Sequence, residues 1–186
     1  MVSGILLGTV FTFISMAVVG YIYLRYGRPP VSVTDLAFPY EAQIVHIPLN
    51  ARIDRELASA PFGTSPENLI SGAQIYIEQC ASRHGTPGQN SALAKNMYPS
   101  VPQLWDRHQN GVVGVSDDEP GKSYWKITNG IRLTGMPAFN HILTSNERWQ
   151  VSLLLQRANQ PLPSPVSAIL SKMSTTEAQK GSAGRS

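Results

Sequence analysis

The chain has 186 residues, which allows one domain of ordinary size and some additional segments. It is 42% hydrophobic and 15% charged, with 15 glycines and 14 prolines, and this favours a compact, loop-rich fold over a charged disordered chain. A single cysteine excludes an internal disulfide framework and a cysteine-rich zinc site. The net charge is only +3 and the basic residues are dispersed, so nucleic acid is not an expected partner.

The stretch from Val2 to Leu24 carries no charged side chain. A helix needs about 20 apolar residues to cross the hydrocarbon core of a bilayer, and this stretch is long enough. Tyrosines gather at its far end, where an aromatic belt is expected, and Pro29 and Pro30 then end the helix. The sequence therefore predicts a transmembrane anchor over residues 1–28.

A cleaved signal peptide is the alternative interpretation of the same stretch. No basic residue precedes the apolar run and no Ala-x-Ala site follows it, which favours an uncleaved anchor. Arg25 and Arg28 follow the span, and the positive-inside tendency alone would place the rest of the chain in the cytoplasm. Because two arginines give only a small bias, the nature of the following domain has to decide the orientation.

Residues 29–65 are rich in proline and are predicted to form a connecting arm. Apolar residues such as Phe38, Ile44 and Ile47 favour an ordered arm that lies on the domain over a free linker. A short helix is predicted over residues 51–58. His46 is interpreted as a structural or partly exposed histidine.

The first helix of the following domain is predicted to begin at Pro66. Ser65 can cap this helix, and proline suits the first helical position. Apolar residues at i, i+3 and i+7 from Ile70 form one stripe that we expect to be buried. A glycine inside a helix costs up to about 1 kcal/mol relative to alanine, so Gly72 is expected where a second helix approaches closely.

This helix leads into a cysteine and a histidine at a characteristic spacing. Residues 80–84 read Cys-Ala-Ser-Arg-His, which is a haem c attachment site of the form Cys-x-x-Cys-His with one position changed. Cys80 and His84 are in place, and Arg83 stands where the second cysteine is expected. No other residue can supply the missing thiol, because Cys80 is the only cysteine of the chain. The spacing alone is a weak indication.

A methionine further along the chain strengthens this indication. Residues 97–105 contain two prolines and suit a loop around a flat apolar object, and residues 120–129 are predicted to form a helix that ends at Gly130. Met136 then stands between Gly135 and Pro137, which restrict the backbone on both sides. A thioether sulfur is a soft ligand that suits haem iron, so Met136 is predicted to be a ligand.

The last helix of the domain is predicted to run from Thr144 to about residue 157. Thr144 and Glu147 have the spacing of a capping box. Trp149 and Leu153 are expected to cross the helix that contains Gly72. Residues 161–186 begin with several prolines and continue with small polar residues, so they are predicted to form a disordered tail.

Taken in order, these residues resemble a class I c-type cytochrome of the small, membrane-anchored bacterial kind. The resemblance covers roughly residues 68–156. Four segments carry it: Gly72 and Ala73 with Tyr76, Cys80, His84 and Gly85; residues 124–131; residues 134–139; and residues 147–149. Their order and spacing fit that family throughout.

The resemblance implies an all-α fold over residues 66–160, the class I cytochrome c fold, with three main helices around one haem c. It implies His84 as the proximal iron ligand and Met136 as the distal ligand. It also implies an exported domain on the periplasmic side of the cell membrane, which overrides the bias from the two arginines.

Arg83 is the departure from the family pattern. In the family two thioethers hold the haem, whereas Cys80 can form only one. Three outcomes stay open: haem held by one thioether and both axial ligands, a b-type haem held without a covalent bond, or a haem-free domain acting as a structural or interaction subunit. The Arg83 guanidinium is expected to reach solvent or meet an acid, because an unpaired buried charge is costly.

The implied function is one-electron transport at a membrane. No substrate binds the iron, because both axial positions are filled, and Met/His ligation raises the reduction potential relative to bis-histidine ligation. The sequence contains no evident general acid–base pair or nucleophile relay, so the chain is interpreted as an electron carrier and not as an enzyme. The expected partners are redox proteins, or a respiratory or dehydrogenase complex of which the chain is a subunit.

Overall fold

The computed structural model describes residues 2–109 and 111–171. Their regular structure is helical: α1 (Val2–Tyr26), α2 (Glu41–Arg55), α3 (Pro66–Gln79), α4 (Ala81–His84), a 3-10 turn (Ala94–Asn96), α5 (Pro120–Asn129) and α6 (Ser145–Gln156). Residues 164–171 are helical as well. Extended segments pair only as isolated bridges in this part of the chain. The predicted all-α class is confirmed.

The chain divides into two compact units, residues 1–41 and residues 42–186. The first unit contains α1, a 25-residue helix with no buried residue. At a rise of 1.5 Å per residue it extends about 37 Å, which exceeds the roughly 30 Å of a bilayer core. Its length and composition are those of a membrane-crossing helix, although a signal sequence near an N-terminus shares both properties.

The second unit is built on three main helices, as expected from the sequence. Helix α6 packs against both α3 and α5. The core comprises apolar side chains from all three: Leu69, Ala73 and Tyr76 of α3, Ile127 of α5, and Val151, Leu154 and Leu155 of α6. The helix ends follow the predicted chemistry, since Ser65 caps α3 and a complete Thr144–Glu147 capping box opens α6.

Helices α3 and α6 cross where α3 has no side chain. A Cβ atom at Gly72 would overlap the main-chain carbonyl of Gln150, so only glycine allows this approach. The close contact predicted for Gly72 is confirmed. The atoms nearest to Gly72 belong to the main chain of Gln150 and Val151, next to Trp149. The Trp149 ring stacks on Tyr124 of α5, with centroids 4.0 Å apart and planes 9° apart.

The connecting arm differs from its prediction in length and in position. Helix α2 spans Glu41–Arg55 instead of residues 51–58, and Ile53 is its only buried residue. Attachment to the domain comes at its C-terminal end, where Trp125 Nε1 donates to Glu56 Oε2 at 2.7 Å and Arg52 lies over the Trp125 ring. The apolar residues Ile44 and Ile47 remain exposed. Within the second unit, α2 is therefore attached through its last turn and the residue that follows.

Residues 164–171 depart from the disordered tail predicted for residues 161–186. They form a helix whose Val166 and Leu170 are fully buried in the core. The two side chains are four residues apart, so they lie on one helix face, and their burial stabilises a helix in spite of the preceding prolines. The rest of the predicted tail, residues 172–186, lies outside the described residues.

Candidate haem site

Cys80 and His84 lie on one continuous turn at the end of α3. Cys80 ends α3 and precedes α4, and its amide donates to the Tyr76 carbonyl at 2.9 Å. The His84 amide donates to the Cys80 carbonyl, also at 2.9 Å, so the helical hydrogen-bond pattern continues through the junction. Residues four apart on a helical turn project from the same face. The fold therefore directs the predicted attachment residue and the predicted proximal ligand to one side.

The Cys80 thiol is in an apolar environment. Cys80 packs against the core cluster and is half-buried as a residue. Desolvation of the thiol raises its pKa to about 12, although the positive charge of Arg83 lowers the pKa in part. At neutral pH the side chain is therefore an uncharged thiol.

His84 has the protonation pattern of a metal ligand. Its Nδ1 atom lies 2.9 Å from the Pro102 carbonyl oxygen. A carbonyl can only accept, so the proton is assigned to Nδ1 and the lone pair to Nε2. Burial lowers the pKa of the imidazole, and the Arg83 charge lowers it further against the opposing effect of the Pro102 carbonyl. The neutral tautomer with a free Nε2 lone pair is the form that binds iron.

The loop after residue 100 is fastened to α4 by several hydrogen bonds. Besides the His84–Pro102 contact, the Leu104 amide donates to the His84 carbonyl at 3.1 Å. Gln103 Nε2 donates to the Arg83 carbonyl at 3.2 Å, and Gln103 Oε1 accepts from the Ser91 amide at 2.7 Å. The histidine is thus held on its side chain and on its main chain by the same loop.

An aromatic pair lies behind this turn. Tyr76 is fully buried and donates from its hydroxyl to the Gly85 carbonyl at 2.8 Å. Burial raises the pKa of this hydroxyl. The rings of Tyr76 and Trp105 meet edge to face, with centroids 5.7 Å apart. The pair fixes Gly85, whose φ of 72° is in the region that favours glycine.

Trp105 carries a buried donor that lacks a partner. In spite of its proximity to Tyr76, its Nε1 atom makes no hydrogen bond with any of the described residues. An indole N–H can only donate, and an unsatisfied buried donor costs free energy. A bound group with an acceptor oxygen at this place would remove that cost. The site is therefore compatible with a group that brings its own acceptors.

The loop that carries Met136 turns back on itself after α5. Gly130 ends the helix with a φ of 65°. The Ile131 amide donates to the Met136 carbonyl at 3.2 Å, and the Met136 amide donates to Thr134 Oγ1 at 3.2 Å. Met136 is half-buried and packs against the same core cluster as Cys80. Cys80 and Met136 therefore both border this one apolar cluster.

Arg83 joins the two parts of the site. Its Nη1 atom donates to the Gly135 carbonyl at 2.9 Å across 52 residues of sequence. This hydrogen bond is solvent-exposed, so the guanidinium still reaches solvent as expected, and a main-chain carbonyl is an additional partner. This contact, the role of the Pro102 carbonyl and the unpaired Trp105 donor were not predicted. The sequence indicated only that residues 97–105 form an apolar loop.

The comparison with protein families supports a c-type cytochrome. Residues 67–153 match the family model described as Cytochrome C oxidase, cbb3-type, subunit III. The matched range contains Cys80, His84 and Met136. Such a domain indicates electron transfer through a haem and association with a respiratory complex in a membrane. A comparison with curated proteins found no match.

Proposed function

We propose that this protein is a membrane-anchored, monohaem c-type cytochrome that carries single electrons. In this proposal His84 and Met136 ligate the iron, and Cys80 holds the haem through one thioether. Bound there, a haem supplies an iron that accepts and releases one electron. Helix α1 serves as a single-pass anchor, and the domain lies on the periplasmic side.

The state of His84 is the observation that carries the proposal. Its Nδ1 proton is engaged by Pro102, and its Nε2 lone pair is left for a metal. Burial favours the neutral imidazole by lowering the pKa, so no proton competes for this lone pair near neutral pH. A histidine that served only as a surface residue would need neither feature.

Met136 supports the proposal from the other side of the site. Hydrogen bonds to its own amide and carbonyl fix its main chain. A half-buried thioether and a neutral imidazole are one soft and one borderline ligand, the pair found in Met/His haem sites. With two protein ligands the iron has no open position for a substrate, so electron transfer is favoured over catalysis at the metal.

Cys80 supports covalent attachment through a single bond. The Cys80 thiol would hold a haem by adding its S–H group across one vinyl group, with sulfur on one vinyl carbon and hydrogen on the other, which needs no oxidant or reductant. Arg83 cannot make the second bond. The unpaired Trp105 donor adds a polar anchor for an acceptor oxygen at the same site.

The alternative function is that of a structural or interaction subunit of a membrane redox complex, with a b-type haem or without haem. One observation favours it: the Arg83–Gly135 hydrogen bond closes the site with protein groups alone. Under this alternative the chain shares the fold of the family but does not carry electrons.

A haem assay on membranes distinguishes these functions. The full-length chain is produced in an export-competent host, and its pyridine haemochrome spectrum is recorded before and after acid-acetone extraction. A single-thioether haem gives an α-band to the red of a two-thioether site and resists extraction. An extractable haem identifies b-type binding, and absence of haem refutes the electron carrier.

Two variants serve as internal references for that assay. Arg83→Cys restores the second thiol and is expected to move the α-band to the position of a two-thioether haem. Cys80→Ser removes the only thiol and is expected to make any haem extractable. An unchanged, extraction-resistant spectrum in Cys80→Ser would contradict the thioether assignment.

A further inference from the structure

A hydrogen bond from Arg83 connects the two segments that carry the proposed iron ligands. Arg83 precedes His84, and Gly135 precedes Met136. The Nη1–carbonyl hydrogen bond of 2.9 Å therefore spans from one ligand-bearing segment to the other. Arg83 stands where the family pattern has its second cysteine, and its side chain makes a hydrogen bond where that cysteine would form a thioether.

Arg83 provides a hydrogen bond between the Met136 loop and α4. The hydrogen bonds to the Met136 amide and carbonyl come from Thr134 and Ile131, which belong to the loop itself. They determine the shape of the loop but do not fix it relative to His84. Among the hydrogen bonds between described residues, the Arg83–Gly135 bond joins this loop to α4.

The backbone of Gly135 is adapted to this bond. Its φ of 73° is a conformation that side chains other than glycine rarely adopt, and a Cβ atom there would press on the Met97 methyl group. The conformation directs the Gly135 carbonyl to the guanidinium. An ammonium group on the shorter lysine side chain would not reproduce the planar donor geometry of arginine.

We infer that Arg83 is a positioning residue that replaces the second thioether with a hydrogen-bonded strap and keeps Met136 in place as a ligand. This inference rests on the proposed function. Arg83 also places a positive charge next to the residue that binds the iron. Because ferric iron carries one more positive charge than ferrous iron, this charge favours the reduced state and raises the reduction potential.

The test compares three variants of the full-length, haem-loaded protein in detergent. Arg83→Met removes the strap and the charge, Arg83→Lys keeps the charge, and Arg132→Met removes an exposed arginine of the same loop as a matched control. The methionine-to-ferric-iron charge-transfer absorption reports the ligated fraction, and a redox titration reports the potential. These readouts separate positioning from a purely structural role.

Loss of a charge-assisted hydrogen bond should lower the ratio of methionine-ligated to displaced haem about tenfold or more in Arg83→Met. The reduction potential of Arg83→Met should fall as well. Arg83→Lys should lose the charge-transfer absorption to a similar extent. Its reduction potential should fall less than that of Arg83→Met, because lysine keeps the positive charge. Arg132→Met should retain the absorption. Full absorption in both Arg83 variants would overturn the strap.

Hydrogen exchange of the chain as purified provides a readout that does not require haem. The amides of Ile131 and Met136 report the loop, and those of α6 serve as the internal reference. Arg83→Met should raise exchange at the two loop amides about tenfold while α6 is unchanged. Equal exchange in wild type and variant refutes the strap. A wild-type chain without haem refutes the proposed function, and the exchange result still decides the strap.

Discussion

The two segments that carry the proposed iron ligands are held in different ways. His84 belongs to a turn that continues α3, and the loop around Pro102 fastens both its ring and its carbonyl. Met136 belongs to a turn that closes mainly on itself and meets α4 through Arg83. The comparison shows a rigid, desolvated histidine side and a methionine side that one long side chain joins to α4 by a hydrogen bond.

Replacement of His84 should have the largest effect, because it removes the proposed proximal iron ligand. Because no described residue provides an equivalent neutral imidazole at this turn, His84→Ala is expected to abolish the low-spin haem spectrum. Optical spectra of purified membranes provide the measurement. His141→Ala is the matched control, since His141 is exposed and lies five residues after Met136. Loss of the spectrum in the control instead would identify His141 as the ligand.

The rigid side should also protect its thiol before haem is attached. In a haem-free, cytoplasmically produced chain, burial raises the pKa of Cys80 from 9.0 to about 12. The thiolate is the reactive form, so alkylation at pH 8 should be slower than in the urea-unfolded chain by about 10³-fold. The rate should rise only as the pH approaches the raised pKa. Equal rates in folded and unfolded chains would show that the thiol is not desolvated.

Replacement of Met136 should affect the methionine side of the site and spare the histidine side. Met136→Leu keeps the apolar volume but removes the sulfur, so the charge-transfer absorption should disappear and the reduction potential should fall. The haem should stay bound through His84 and Cys80. Met97→Leu is the control, because Met97 lies beside Gly135 and offers the nearest alternative thioether. Absorption that vanishes only in this control would reassign the distal ligand.

A substitution at the crossing of α3 and α6 should lower the stability of the fold and have the smallest effect on the two proposed iron ligands. Gly72→Ala forces α3 away from the Gln150 carbonyl and should lower the free energy of unfolding by about 1–3 kcal/mol. Thermal melting should fall by roughly 4–8 °C for each kcal/mol. Gly63→Ala serves as the control, since a Cβ atom there meets open space. Similar melting temperatures for both variants would contradict the close crossing.

Local sequence patterns predicted the parts of the fold that depend on local chemistry. The caps at Ser65 and Thr144 and the close approach at Gly72 follow from residue types at fixed spacings, and the structure confirms them. Contacts between segments that are distant in the sequence do not follow from residue types at fixed spacings. The stacking of Trp149 on Tyr124 depends on the rotation of α6 about its axis, which the apolar pattern of α6 did not determine.

The same distinction applies to the site. Cys80 and His84 were recognisable because attachment and ligation require them on one turn, and Met136 because Gly135 and Pro137 restrict its backbone. The carbonyl of Pro102 and the partner of Arg83 are main-chain groups, and any residue could supply them. Sequence patterns cannot identify such acceptors, because every residue has a carbonyl.

Helix α3 carries the glycine of the crossing, and Cys80, the proposed attachment cysteine, caps its end eight residues later. At 1.5 Å per residue the two positions are roughly 12 Å apart on one rigid rod. A group that binds only the folded form shifts the unfolding equilibrium by mass action, and the proposed covalent bond at the end of this rod would keep that group in place. If the proposal holds, haem loading and resistance to proteolysis should rise together, and haem-free chains should be degraded first.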